Sequence, residues 1–252
     1  MQFDAVNALL EKYRDRLSQL DKTTHPNDDM LKKSPKGWDD YETVGRSSVE
    51  WIAKALLFCK TQRVRSVLDF GSGHGRVARH IRLMLPDARM TFSDIDDEAW
   101  RFCARQFGGD GFASVEDFRD LKIPGKYDLI FLGSVFTHLS WDRSVTLWRK
   151  LFDSLEPGGA MIATFRGAMC HRIMLRDAPR LNMGGYYDPM LADYRATGFG
   201  YQDYKGFSNW GQNLFTPGKI AELADGAPNA QLAMLSEAAW ANIHDLGVWT
   251  RI

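Results

Sequence analysis

Between residues 64 and 167 the chain repeats one unit: a short, almost wholly apolar run, a turn, then a stretch with helical spacing. This alternation limits the fold more than any other feature. The runs are VRSVLDF (64–70), ARMTFSD (88–94), GFASV (111–115), YDLIFLGS (127–134) and GGAMIATF (158–165). Helical spacing fills 76–84, 96–107 and 142–155. Strands with one wet face would alternate apolar and polar residues; these do not, so they predict a parallel sheet covered by helices on both faces, an open α/β domain. A helix at 217–224 and two more strand candidates, AQLAMLSE (230–237) and GVWTRI (247–252), complete the sheet.

The flanks read differently. Phe3, Val6, Leu10, Tyr13, Leu17 and Leu20 recur in steps of three and four, the stripe of an amphipathic helix. That stripe is buried either on the main domain or in a homodimer, and it is too short to insist on a coiled coil. Residues 21–45 are polar and rich in turn formers, a long connection read as a flap over a site. A second helix is predicted over 47–59, with Val49, Ile52, Ala53, Leu56 and Leu57 on one face. The chain thus divides into a helical extension (1–60) and a main domain (61–252), in which 168–215 reads as an insertion after the fifth strand. There periodicity breaks, and Tyr186, Tyr187, Tyr194, Phe199, Tyr201, Tyr204, Phe207, Trp210 and Phe215 gather among glycines. Such aromatics fill cores and lids; their density beside a crevice also suits an acceptor pocket with stacking surfaces.

Composition excludes several classes. Lys plus Arg and Asp plus Glu are both 32, so the basic excess of a nucleic-acid-binding surface is missing. No apolar run approaches the ~18 residues of a membrane span, WIAKALLFC (51–59) being the longest candidate. The first residues lack a signal-peptide core, so a cytoplasmic location is expected. The 3 cysteines have no CxxC spacing and read as buried free thiols.

The sharpest local signal is VLDFGSGHG (67–75), where a strand ends and a helix begins. In an open parallel sheet, ligands bind beyond the carboxyl ends of the strands, which is where this loop lies. Glycines at 71, 73 and 75 let the backbone turn sharply and approach a bound molecule. Asp94 closes the second strand, where a carboxylate can accept ribose hydroxyls. A dinucleotide loop would carry its third glycine where Arg76 stands. Asp69, on the strand just before the turn, is unwelcome beside a pyrophosphate and useful beside an ammonium group. Charge therefore favours a cationic amino-acid ligand.

These residues resemble the class I S-adenosylmethionine-dependent methyltransferases. VLDFGSGHG is similar to their first motif, FSDID (92–96) to the acidic end of the second strand, KYDLIFLGSVFTHL (126–139) to the fourth strand and its exit, and LFDSLEPGGAMIATF (151–165) to the entry of the fifth. The resemblance implies an open Rossmann-like, mostly parallel seven-stranded sheet whose last strand is antiparallel, with S-adenosyl-L-methionine as cofactor. Asp69, Gly71, Ser72 and Gly73 would surround its methionine part, and Asp94 its ribose. Ile95 would lie against the adenine, Glu116 or Asp117 would meet the adenine amino group, and Ser134 and Val135 would line the sulfonium side. The tail, with GFGY (198–201) and Glu237, Trp240 and Asp245, is similar to bacterial methyltransferases linked to cell-surface glycan genes, which says little about substrate; the aromatic insertion and the missing basic stripe lead to the expectation of a small-molecule or glycan acceptor.

A hydroxyl acceptor needs a base. His138, after the fourth strand, lies at the crevice, as does His171 after the fifth; each also reads as a histidine that merely packs or caps. His244 and Asp245 read as structural, and His74 as packing over the cofactor or capping a helix. No metal-ligand spacing is visible, and no metal is expected. Arg166, Arg172 and Arg176 suit an anionic group on a small acceptor. Two other readings remain at this stage, an NAD-type dehydrogenase and a non-catalytic cofactor-binding module.

Overall fold

The computed structural model describes residues 3–177 and 185–252. Helix α1 (Phe3–Asp15) and a following single turn come first, then α2 (Asp29–Lys32) and the long α3 (Trp38–Phe58). Strand and helix then alternate through β1 (Ser66–Phe70), α4 (Ala78–Met84), β2 (Arg89–Asp94), α5 (Asp97–Phe107), β3 (Asp110–Ala113), β4 (Tyr127–Leu132), α6 (Trp141–Asp153) and β5 (Leu155–Phe165). After β5 come α7 (Ala168–Asp177), α8 (Asp188–Thr197), a hairpin of β6 (Phe199–Asp203) and β7 (Gly211–Phe215), α9 (Pro217–Glu222), β8 (Ala230–Trp240) and β9 (His244–Arg251). Residues 178–184 of the expected insertion lie outside the described residues. No helix among those described is long and apolar enough to cross a membrane.

The main sheet has seven strands in the order β3-β2-β1-β4-β5-β9-β8, as the resemblance implied. β9 runs antiparallel to both of its neighbours, and the other pairings are parallel. Pleating sorts the apolar runs to two faces. Val67, Phe92, Leu129, Phe131 and Ile162 pack under α1, α3, α4 and α5. Leu68, Phe70, Ile130, Leu132, Met161 and Phe165 face Leu147, Trp148 and Leu151 of α6 and Ile220 of α9. Both faces are dry, which is why these strands read as continuous apolar runs. Strand order reverses between β1 and β4, and the crevice opens beyond their carboxyl ends.

One expectation changes. α3 starts at Trp38, not at 47, so the flap is shorter than its composition implied. Its first turns bury Tyr41, Gly45 and Ser48, and Gly45 leaves no room for a Cβ because the Arg76 carbonyl and the His80 ring abut it. Small residues there let α3 lie close to α4. Of the α1 stripe, Val6 and Tyr13 are buried against this chain's own α3 and α4, with the Tyr13 hydroxyl 2.8 Å from His80 Nδ1, while Phe3 stays exposed.

Candidate active site

The loop after β1 is held from below. Gly71 and Ser72 donate their N–H groups to the Ser93 carbonyl at 2.7 and 3.1 Å, and the Cys103 thiol donates to the Gly73 carbonyl at 3.2 Å. Gly71 and Gly75 have φ of +74° and +84°, and a Cβ there would strike Val135 and Phe107 respectively. Gly73, at φ +49°, faces open space, so the loop is tight beneath and free above.

Asp69 lies under this loop at 2% exposure, and its Oδ2 is buried without a hydrogen-bond partner. Burial, with the Asp94 charge adding, pushes its carboxyl up to about 7. A carboxylate desolvated in this way lacks a cation. Asp94 accepts the Gly73 N–H at 2.8 Å through Oδ2 and the Asp96 N–H at 3.0 Å through Oδ1, and burial raises it too. Each oxygen keeps a lone pair for a further donor. Asp96 caps α5 through the Glu98 N–H, as its position suggested. Ile95 is 59% exposed, an apolar surface at the crevice lip.

Past β3 the two candidate acids separate. Asp117 grips the Arg119 guanidinium, with Nε at 2.9 and 3.0 Å from its oxygens, and this contact holds it down to about 2. The Glu116 carboxylate makes no hydrogen bond or ion pair among the described residues, while its backbone carbonyl accepts Arg143 Nη2 at 2.7 Å. Past β4, Ser134 takes the left-handed conformation at φ +65°, its N–H donated to Thr164 Oγ1 at 2.7 Å. Non-glycine residues held there store strain, which concentrates at working sites.

His138 sits in the turn after β4. Its Nδ1 lies 3.0 Å from both the Gly211 carbonyl and the Tyr204 hydroxyl, and the Trp210 ring stacks on it at 4.4 Å. A ring proton on Nδ1 serves that carbonyl and leaves Nε2 as the basic nitrogen. Burial, then the Arg166 charge, lowers its pKa to about 4. His171, on α7, packs edge-on against Tyr194 with Nε2 buried and unpartnered, and no described contact joins it to His138. Arg176 pairs with Asp177, whereas Arg166 reaches the Thr137 carbonyl from Nη1 at 2.6 Å. Tyr204 and Trp210 belong to the aromatic cluster expected at the acceptor side, but their meeting with His138, and the part of Gly211, had no sign in sequence spacing because the hairpin brings them from far along the chain.

The flap closes over the loop from the other side. Arg79, 2% exposed, donates to the carbonyls of Asp21 (2.7 Å), Thr23 (3.1 Å) and Gly75 (3.0 Å). His25 stacks on His74 at 4.6 Å with Nε2 3.6 Å from Glu98. These three side chains have the composition of a metal site. However, His25 Nδ1 accepts the Asn27 N–H at 3.2 Å, so the neutral ring carries its proton on the Nε2 that faces Glu98. The trio is joined by ring stacking and by the His25–Glu98 contact, and His74 Nε2 is buried without a hydrogen-bond partner.

Residues 67–159 match the family described as "Methyltransferase domain". No curated protein sequence matches the chain. Among solved structures, the fold is similar to an S-adenosylmethionine-dependent methyltransferase from Clostridium acetobutylicum (12% identity, 98% of this chain and 99% of that one, TM-score 0.53). It is also similar to magnesium protoporphyrin IX methyltransferase from Synechocystis with bound SAH (14%, 98% and 100%, 0.56) and to DesVI from Streptomyces venezuelae (14%, 85% and 93%, 0.53). The matched segment holds the glycine loop, Asp69, Asp94 and the β4 exit, so the chain is an enzyme with a methyltransferase domain over residues 67–159.

Proposed function

We propose that this chain transfers the methyl group of S-adenosyl-L-methionine to an oxygen or nitrogen of a small-molecule or glycan acceptor. The observation that carries this reading is the buried, unpartnered Oδ2 of Asp69 beneath a glycine loop whose upper side is open. A cofactor bearing an ammonium group supplies the missing cation, and a dinucleotide does not. When bound, this cofactor supplies a methyl already activated on a sulfonium centre.

The chain's own residues then have defined tasks. Asp69 pairs with the ammonium, and Asp94, oriented by the Gly73 and Asp96 N–H groups, accepts ribose hydroxyls. Ile95 offers an apolar face to the adenine and Glu116 an acceptor to its amino group. Ser134 and Val135 line the reacting end, and residues 168–177 and 185–215 with the flap enclose the acceptor, excluding water and fixing its approach. His138 holds Nε2 as the proton acceptor. Its low pKa keeps it neutral near pH 7 but makes it a weak base, which favours amines and acidic hydroxyls over ordinary alcohols.

The test is a thermal-shift titration with S-adenosylhomocysteine and, separately, NAD. At 100 times its Kd the former adds about 2.7 kcal/mol of stability. Mass spectrometry with isotope-labelled S-adenosylmethionine then follows the methyl into product. Protection by NAD alone would overturn the reading.

A further inference from the structure

The acceptor side of the crevice gathers two guanidinium groups that form no ion pair with any described residue, although the Asp28 charge acts on Arg76 from a distance. Arg166 follows β5 directly and lies half-buried where β4 and β5 end. Its one side-chain hydrogen bond among the described residues goes from Nη1 to the neutral Thr137 carbonyl, next to His138, and no described carboxylate pairs with it. Arg76, at the other end of the glycine loop, lies over the Trp240 ring with Cζ 5.3 Å from the centroid, and also has no ion pair among the described residues. Trp240 reaches this place by lying against Gly133, beside Ser134, and its ring is 5.6 Å from His244. Both guanidinium groups therefore flank the histidines of the reacting end.

The neighbouring acids do not answer them. Asp245 turns Oδ1 to the Ala238 N–H at 2.9 Å and encloses Oδ2 against Gly167. Burial and the Glu237 charge raise its pKa, and it makes no ion pair with either guanidinium. The histidines supply no negative charge either: burial and Arg166 lower His138 to about 4 and His244 to about 3, with Arg76 adding at His244. Arginine stays ionised in any protein setting, and a cation drawn out of water is normally paired. The missing counter-charge is a ligand's.

We propose that Arg166 is the anion-holding residue of the acceptor site, so that the acceptor carries a carboxylate or phosphate group, gripped by the guanidinium beside His138. This rests on the methyl-transfer reading and names its substrate class. It also bears on His138 as a base: burial keeps the larger part of its depression, but an anion on Arg166 offsets the part due to that charge, so His138 becomes more basic once such an acceptor is seated.

Isothermal titration of the S-adenosylhomocysteine-loaded protein with benzoate, phenyl phosphate, benzamide and benzylamine tests this. Each probe offers the same ring to the aromatic wall and differs in charge. Benzoate or phenyl phosphate should bind about tenfold tighter than benzamide, the better of the two naming the anion. Arg166→Gln should remove that preference and Arg166→Lys keep part of it, with S-adenosylhomocysteine affinity unchanged in both, which also reports that the variants fold. In wild type, the His138 ring signal in NMR should titrate at higher pH with the anion bound. Equal binding of benzoate and benzamide, preference for benzylamine, no binding of any probe, or a preference that survives Arg166→Gln would each overturn the proposal. So would a matching loss of S-adenosylhomocysteine affinity in Arg166→Gln, which would give the guanidinium to the cofactor carboxylate. Failure of wild type to bind S-adenosylhomocysteine would instead sink the methyl-transfer reading itself.

Discussion

Asp69 works against the fold that holds it. Its carboxyl is raised from 3.8 to about 7, so the folded protein keeps a proton that the unfolded chain releases. Stability of the cofactor-free protein should therefore fall as pH climbs from about 4 to about 7. Affinity for an ammonium-bearing ligand runs the other way, weakening by up to about tenfold for each pH unit below 7. Asp69→Asn should make the free protein more stable at pH 8, by about 2 kcal/mol, while weakening S-adenosylhomocysteine and flattening its pH dependence. Denaturant melts and calorimetric titrations at pH 5 to 8 check both limbs; a variant less stable than wild type at pH 8 would return Asp69 to an ordinary structural role. The positions of Asp69 and Asp94 were legible because each lies at or next to the end of a strand that borders the glycine turn, so local pattern fixes their place. What distinguishes Glu116 from Asp117 was not legible, because the reach of Arg119 back two residues to Asp117 is a side-chain contact without a local pattern.

At the scale of elements, the flap, α3 and α4 form one assembly around Arg79. Its guanidinium ties Asp21 and Thr23 to Gly75, and Asp28 accepts the Tyr41 hydroxyl at 2.6 Å beneath. Arg79→Met should cost about 2–4 kcal/mol by leaving these buried carbonyls unmet. Hydrogen exchange should quicken across 21–28 and the glycine loop but not in β4 or β5; unchanged protection in the flap would refute the assembly. The start of α3 escaped sequence reading because its buried positions are Tyr41, Gly45 and Ser48, small or polar residues that a search for apolar spacing passes over. α8 did carry a signal, Pro189 at its beginning and Gly198 in the left-handed conformation at its end. The β6–β7 hairpin has no such mark: its connection is long and lacks a two-residue turn motif.

For the molecule as a whole, the two cores share one sheet and should unfold together. Trp148 stacks on Phe152 at 4.8 Å and meets Trp249 edge-on at 5.7 Å, filling the face under α6. Trp148→Ala should cost about 3–5 kcal/mol and lower the midpoint in a single calorimetric transition. Two separated transitions would mean that the faces are independent. The sheet was readable because buried parallel strands announce themselves locally, whereas the destination of the α1 stripe depended on a distant pairing of Tyr13 with His80. The hairpin has a consequence of another kind. Tyr204 and Gly211, which set the tautomer of His138, ride on the same segment as Trp210, which walls its ring. A graft of this hairpin from one enzyme to another would thus carry proton handling and substrate taste as one inheritance, so that neither trait can drift while the other stands still.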